Sequence, residues 1–275
     1  EAAMGQEALP LRRSQRATSP SPGKSDKSAS PSAAKPTAKS SMALQQAAGA
    51  TRQASGEDSL DIFLTRGAAA LPALSREEKI RLLGELEEQQ VRICRKCRLA
   101  ETRTQTVFGE GDVDAPIFFI GEGPGETEDK TGRPFVGRAG QLLDQMIGAM
   151  GLKREQVYIA NIVKCRPPGT RAPAPDEVET CTPYLVRQIE IVRPKVIVTL
   201  GLPAAKYMLS SNSTMGRLRG QWHEWRGIKL MPTFHPAYLL RSYTVENRQA
   251  VWSDLQKVMD EIGLKGKKGK VEEAV

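Results

Sequence analysis

The chain has 275 residues, and its 40 Lys and Arg against 32 Asp and Glu leave a net charge of +8. This length allows one large domain or two small ones, and the basic balance favours an acidic partner, with nucleic acid the first candidate. The absence of an 18-residue apolar run and of an apolar leader segment argues against a membrane protein and predicts a cytoplasmic one.

Residues 1–56 are rich in Ala, Ser, Lys, Pro and Gln and contain almost no aromatic or β-branched side chains. Such a segment cannot bury enough apolar surface to offset its ordering entropy, so we predict a disordered basic tail. Its basic residues could add weak attraction to DNA, or the tail could be inert. The folded domain is predicted over 57–263, and a second tail over 264–275.

Strands and helices alternate through the predicted domain. A first helix over 76–93 begins with a capping box formed by Ser75 and Glu78. Apolar runs predict strands at 116–121, 157–161, 195–201 and 228–236, and helices at 139–151, 176–192, 203–210 and 246–263. The second of these later helices is expected to have Asp176 as its N-cap. The alternation is typical of a three-layer α/β/α fold around a mostly parallel four-stranded sheet.

In such sheets ligands bind beyond the carboxyl ends of the strands, so the loops after the strands carry the candidate site. The first loop, "GEGPGETEDKTGRPFVG", is rich in glycine and in acids. Glu126 stands where a dinucleotide fingerprint needs Gly or Ala, and the acids would repel phosphate. We therefore expect a neutral ligand such as a nucleobase edge. Phe135 is a candidate for stacking on its face, although ordinary core packing explains a lone Phe equally well.

Two further loops carry polar candidates. Asn161 ends the second strand, where a carboxamide can donate and accept hydrogen bonds or simply form a turn. His235 lies in "FHPAYLLR", where the following Pro fixes the turn. His223, the other histidine, lies in an aromatic-rich stretch that we interpret as a structural strand.

The four cysteines follow a C-x2-C pair and then C-x15-C: Cys94, Cys97, Cys165 and Cys181. Scattered core thiols are the default interpretation of such a set. The chelating first pair nevertheless allows one all-thiolate site, for either Zn²⁺ or a [4Fe–4S] cluster, and the spacing does not choose between them.

Five motifs together resemble the family 4 uracil-DNA glycosylases, which are the iron–sulfur members of the uracil-DNA glycosylase superfamily. They are "GEGPGETED" (121–129), "GRPFVGRAGQLL" (132–143), "NIVKCRPP" (161–168), "LGLPAAKYML" (200–209) and "HPAYLLR" (235–241). The resemblance covers about residues 90–262. It implies a monofunctional hydrolase that flips uracil out of single- or double-stranded DNA, cleaves its N-glycosidic bond and leaves an abasic site.

The resemblance also implies roles for particular residues. A [4Fe–4S] cluster would be held by all four cysteines. Uracil would be bound by Glu122, Gly123, Glu128, Phe135, Asn161 and His235, with Glu128 excluding thymine beside C5 and His235 stabilising the leaving base. Leu239, Leu240 and Arg241 would probe the DNA and fill the gap left by the flipped base, although one of the two leucines is expected to pack in the core instead.

One position departs from the wider superfamily. The best-known relatives place an Asp in the first motif to position water, and Gly123 stands there in this chain. The water-positioning group is therefore assigned to Glu122 and Asn161. The protein is expected to be a monomer. The alternative is a non-catalytic iron–sulfur module that binds DNA or senses redox state, which gives no reason for Asn161, Phe135 and His235 to follow three strands.

Overall fold

The computed structural model describes residues 73–264. The tail predicted over 1–56, the beginning of the predicted domain at 57–72 and residues 265–275 lie outside the described part. Within residues 73–264, no helix combines the length and hydrophobicity that are needed to cross a bilayer.

Strands and helices alternate in the described part as the sequence predicts. The strands are β1 (Glu110–Gly111), β2 (Ile117–Gly121), β3 (Tyr158–Asn161), β4 (Val196–Leu200), β5 (His223–Trp225) and β6 (Ile228–Thr233). The α-helices are α1 (Arg76–Leu86), α2 (Leu99–Thr102), α3 (Glu126–Thr131), α4 (Arg138–Ala149), α5 (Pro175–Val192), α6 (Leu202–Leu209), α7 (Met215–Leu218), α8 (Pro236–Arg241) and α9 (Val245–Ile262). A π-helical turn at Glu87–Val91 continues α1, and 3-10 turns occur at Arg154–Gln156 and Pro168–Thr170.

The strands form one mixed sheet in the order β1-β3-β2-β4-β6-β5. Its four central strands are parallel and are those predicted from the apolar runs. The four-stranded prediction is corrected to six strands within residues 73–264, because β1 and β5 add antiparallel edges. β1 has two residues and no apolar alternation, so its sequence gives no strand signal.

The core lies on both faces of the sheet, which gives the predicted three layers. Along β2, Phe118 and Ile120 face a cluster that includes side chains of α1, α5 and α6, whereas Ile117 and Phe119 face a cluster that includes α4 and α9. This alternation follows from the two-residue period of a strand. Because both faces are covered, the carboxyl edge of the parallel strands is where loops converge on a site.

The ends of two helices were predicted with different success. Ser75 and Glu78 form the expected capping box, in which Glu78 N–H donates to Ser75 Oγ and Ser75 N–H donates to Glu78 Oε2. The prediction of Asp176 as the N-cap of α5 is wrong, because the cap is Ala174, two residues earlier, and the helix begins at Pro175. There the Glu177 carboxylate accepts the Ala174 N–H at 2.7 Å and replaces a capping side chain.

Candidate functional site

Three predicted site residues from three different loops meet around the end of β2. Gly121 lies opposite Asn161 in the parallel register of β2 and β3. A Cβ built on Gly121 would lie 2.4 Å from Asn161 Oδ1 and 2.4 Å from Phe135 Cζ. The rings of Phe135 and His235 lie with their centroids 5.6 Å apart. Glycine is thus required at 121 because the side chains of Asn161 and Phe135 converge on it.

The side chain of Asn161 is buried and its oxygen lacks a partner. Asn161 is 1% exposed, and Oδ1 accepts no hydrogen bond from any residue in the described part of the chain. A buried carbonyl oxygen without a donor costs free energy, which a ligand with an N–H group would recover. The ring of Phe135, 5% exposed, lies near this oxygen beside the position that a Cβ of Gly121 would take.

His235 is held in one orientation at the start of α8. As the N-cap of this helix, its Nδ1 accepts the N–H of Ala237 at 3.0 Å. Burial lowers the pKa of His235 to about 4, so the ring is neutral at pH 7 and its proton lies on Nε2. Behind it, a Cβ on Gly201, which has a φ of 89°, would lie 3.0 Å from the Cβ of His235. The site therefore presents a neutral N–H donor with a fixed direction.

Glu128 ties the glycine-rich loop together. Its Oε1 accepts the N–H groups of Val136 and Gly137 at 2.9 and 2.8 Å, and its Oε2 accepts that of Gly125 at 3.1 Å. Its carboxylate thus joins the segment before α3 to the segment that follows Phe135. The side chain is close enough to His235 to interact with it electrostatically.

Glu122 and Gly123 follow β2 directly. Glu122 is partly buried, and burial raises the pKa of its carboxyl group. A raised pKa moves a carboxylate towards the range in which it exchanges protons near neutral pH. A Cβ on Gly123 would lie 2.9 Å from Cγ2 of the buried Val163. No side chain fits at 123 unless its neighbour moves.

The predicted DNA-probing residues divide into two groups. Leu239 is 0% exposed and packs in the core with α4 and α9. Leu240 is 37% exposed, and Arg241 is exposed as well. The structure therefore gives Leu239 a packing role and leaves Leu240 and Arg241 on the surface beside His235.

A buried hydrogen-bond network beneath the site was not predicted from the sequence. Asp254 in α9 is 0% exposed and accepts the hydroxyl of Thr233 at 2.7 Å. Arg219 donates to the same carboxylate at 2.7 and 3.1 Å and lies 5.4 Å from the centroid of the Phe234 ring. Since Thr233 and Phe234 immediately precede His235, this network fixes the segment after β6 that carries the imidazole. Sequence patterns do not reveal a partner 21 residues away.

The four cysteines line one cavity, between the end of the first helix and α5. Three of their sulfurs accept hydrogen bonds: Cys165 from Arg103 at 3.0 Å, Cys181 from the Lys164 N–H at 3.2 Å and Cys94 from the Tyr184 hydroxyl at 3.4 Å. Such donors stabilise thiolate ligands.

Four thiols can supply the ligands of either kind of all-thiolate site. A single tetrahedral zinc holds its sulfurs about 4 Å apart. Four thiols around one cavity also suit a cluster of several irons, which takes four thiolates. Burial raises the pKa of Cys181 to about 12, and binding to a positive centre would favour its thiolate form.

Lys164 joins the cysteine cavity to the Asn161 loop. It is 1% exposed, and its Nζ donates to the backbone oxygen of Asn161 at 3.0 Å and to Gln188 Oε1 at 2.6 Å. Its backbone N–H donates to Cys181. The same residue therefore contacts a candidate cluster ligand and the residue with the unpartnered oxygen.

A family model and several similar curated proteins all match this chain to the same group of DNA glycosylases. The model of the uracil DNA glycosylase superfamily matches residues 108–256. A type-4 uracil-DNA glycosylase of Thermotoga maritima is 46% identical over 194 residues, which cover 70% of this chain and 99% of that protein. Those of Sulfurisphaera tokodaii and Archaeoglobus fulgidus are 47% and 44% identical, over 63% and 64% of this chain and 82% and 92% of their own lengths.

Proposed function

Because the chain belongs to the uracil DNA glycosylase superfamily, and within it to the type-4 enzymes, we propose that it is a DNA repair glycosylase that hydrolyses the bond between uracil and deoxyribose. The products are free uracil and an abasic site. The target bond is inaccessible inside a duplex, so the nucleotide is flipped into the pocket formed by Phe135, Asn161 and His235.

The unpartnered oxygen of Asn161 is the observation that carries this proposal. Uracil presents N3–H and O4 side by side, and a carboxamide accepts from the first and donates to the second. Cytosine presents an unprotonated N3 and an amino group at the same places, so both hydrogen bonds would be lost. A buried site of this kind rejects the wrong edge strongly, because its polar groups are left unpaired.

The other walls of the pocket act on the face and on the C5 side of the base. Phe135 stacks on the uracil ring, an interaction worth about 1–3 kcal/mol per base. The backbone at Glu122 and Gly123 approaches the uracil edge, since no side chain intervenes at 123. Glu128, held by three N–H groups, occupies the space beside C5 and excludes the methyl group of thymine.

His235 stabilises the leaving group. As the glycosidic bond breaks, the sugar becomes positive and uracil leaves as an anion with charge on O2. The neutral ring donates from Nε2 to this oxygen, because Nδ1 is occupied by Ala237. Loss of one such donor typically lowers the rate about 10²–10³-fold. A water molecule that Glu122 and Asn161 position attacks C1′ of the sugar and passes a proton to the Glu122 carboxylate, while the released uracil anion takes up a proton from solvent.

Two further parts support catalysis from outside the pocket. Leu240 enters the gap left by the flipped nucleotide and Arg241 contacts the DNA beside it, in the manner of apolar wedges in other DNA-bending proteins. A [4Fe–4S] cluster would be held by the four cysteines, Cys94, Cys97, Cys165 and Cys181. It would link chain segments that are far apart in sequence, and it has no role in bond cleavage.

The proposal is tested with single- and double-stranded oligonucleotides that contain uracil, cytosine, thymine or hypoxanthine at one position. Alkali cleaves abasic sites, so strand cleavage measures excision. We expect excision of uracil with cytosine and thymine left intact. His235→Ala should lower the single-turnover rate about 10²–10³-fold while DNA affinity changes little. His223→Asn changes the other histidine and is the matched control. Intact uracil strands with cluster-loaded protein would rule out the function.

A further inference from the structure

Phe135 has an unusual backbone conformation. Its φ is 49°, in the left-handed region that side chains larger than glycine rarely adopt, and the ring is buried. Such a conformation costs free energy and persists only where surrounding contacts impose it. At this position the backbone conformation sets the position of the ring relative to Asn161 and His235.

Contacts on both sides of Phe135 impose this conformation. On the carboxyl side, Glu128 accepts the N–H groups of Val136 and Gly137. From below, the backbone of α4 approaches so closely that a Cβ on Gly140 would lie 1.9 Å from the carbonyl oxygen of Phe135. These contacts leave the two carbonyl groups at Pro134 and Phe135 to be satisfied by another donor.

Arg154 supplies that donor. Its guanidinium donates to the carbonyl oxygens of Pro134 and, at 3.1 Å, of Phe135. The same group donates to Glu110 Oε1 and to Asp144 Oδ1, both at 2.7 Å. The planar fork of Arg is suited to bridging several acceptors at once. Arg154 begins the 3-10 turn before β3 and lies outside the five sequence motifs.

The surroundings of Arg154 argue against a direct contact with DNA. Its side chain is only 13% exposed, and two carboxylates neutralise its charge. A phosphate would have to displace these partners. The guanidinium is therefore available only to the loop that it already holds.

We propose that Arg154 is a positioning residue that holds Phe135 in its left-handed conformation so that the ring stacks on the flipped base. This inference rests on the proposed function, because it assumes that Phe135 stacks on uracil. An alternative role is purely structural, in which Arg154 serves only as the partner of Glu110 and Asp144. The two roles predict different results for substitutions.

The test compares three variants by single-turnover excision from a uracil oligonucleotide. Arg154→Met removes all donors and should lower the rate about 10-fold or more, in the range expected for lost stacking. Arg154→Lys keeps the charge but cannot bridge both carbonyl groups and the carboxylates, so it should restore only part of the rate. Arg133→Gln removes the other Arg partner of Glu110 and is the matched control, with an unchanged rate. Full rescue by Lys would overturn the proposal.

A double-mutant cycle separates action through Phe135 from general damage. In a Phe135→Ala background, Arg154→Met should have little further effect on the rate, since the ring that it positions is absent. Equal losses of excision rate in both backgrounds would refute the proposal. The proposed function is judged separately, by whether the unsubstituted enzyme excises uracil. A crystal structure of the Arg154→Met protein gives an answer independent of activity: φ of Phe135 should leave the left-handed region, and an unchanged φ and ring position would refute the proposal.

Discussion

The protonation state of His235 gives the sharpest prediction for the enzyme. Its Nδ1 accepts the Ala237 N–H, and burial lowers its pKa to about 4. If the neutral ring donates to the leaving base, protonation is not part of the reaction. The excision rate should therefore show no rise as the pH is lowered through the range in which an ordinary histidine titrates.

The magnitude follows from the two pKa values. The ordinary value is 6.5 and that in the folded protein is about 4. At pH 7 about one ring in a thousand is then protonated. The unfolded chain binds this proton first, so stability is fully present above about pH 6.5 and is lost as the pH falls towards about 4. This group alone accounts for about 3 kcal/mol of that loss.

Two measurements check this prediction. Single-turnover excision rates are recorded from about pH 8 to pH 5, and the imidazole signals are followed by NMR over the same range. The chain contains only two histidines, so a His223→Asn variant assigns the signal of His235. We expect a flat rate, apart from any titration of Glu122, and no His235 transition above about pH 5.

A contrary outcome is easy to recognise. If His235 titrates near pH 6.5, or if the rate climbs about tenfold between pH 7.5 and 5.5, the ring acts as a cationic acid and the neutral-donor mechanism is wrong. The same comparison in a His235→Gln variant, which donates without titrating, shows whether the pH dependence comes from this residue.

Three further predictions concern the surroundings of the site. Thr233→Val removes the hydroxyl group that donates to the buried Asp254, so it should lower the free energy of unfolding by about 1–3 kcal/mol and also lower the excision rate. Thr233→Ser keeps the hydroxyl group and should preserve both. Equal behaviour of the two variants would contradict this prediction. Leu239→Ala should reduce the free energy of unfolding, measured in urea, by about 2–5 kcal/mol. Leu240→Ala should leave this free energy unchanged and should slow excision more from duplex than from single-stranded DNA. The reverse pattern would show that the assignment of the two leucines is wrong. Cys181→Ser should lose iron and sulfide on elemental analysis together with visible absorbance, and retention of a full cluster would exclude that thiol as a ligand.

The central sheet was predictable because its strands are continuous apolar runs. Parallel strands buried on both faces have this pattern, and the flanking glycines mark their ends. The edge strand β1 was not predictable, since it has only two residues and pairs through backbone groups alone. The N-cap of α5 was misplaced because the cap residue, Ala174, has no capping side chain, whereas Asp176 two residues later is a preferred N-cap residue type.

The sequence predicted that Asn161, Phe135 and His235 lie near one another, but it did not predict their geometry. Asn161 and His235 could be found because each follows a strand, and the register of a parallel sheet brings such residues together. The unpartnered Oδ1 of Asn161 and the left-handed backbone of Phe135 are properties of the folded chain. Arg154 and Asp254 were missed because their partners are distant in sequence and no motif marks them.

The contact between Gly123 and Val163 limits how the pocket can change over evolutionary time. A Cβ at 123 would lie 2.9 Å from Cγ2 of a valine that is 0% exposed, so a carboxylate cannot be introduced there by one substitution without a collision. A smaller residue at 163 would relieve the collision, but by itself that change opens a cavity and costs stability. Positions 123 and 163 are therefore coupled, because a carboxylate at 123 requires a compensating change at 163.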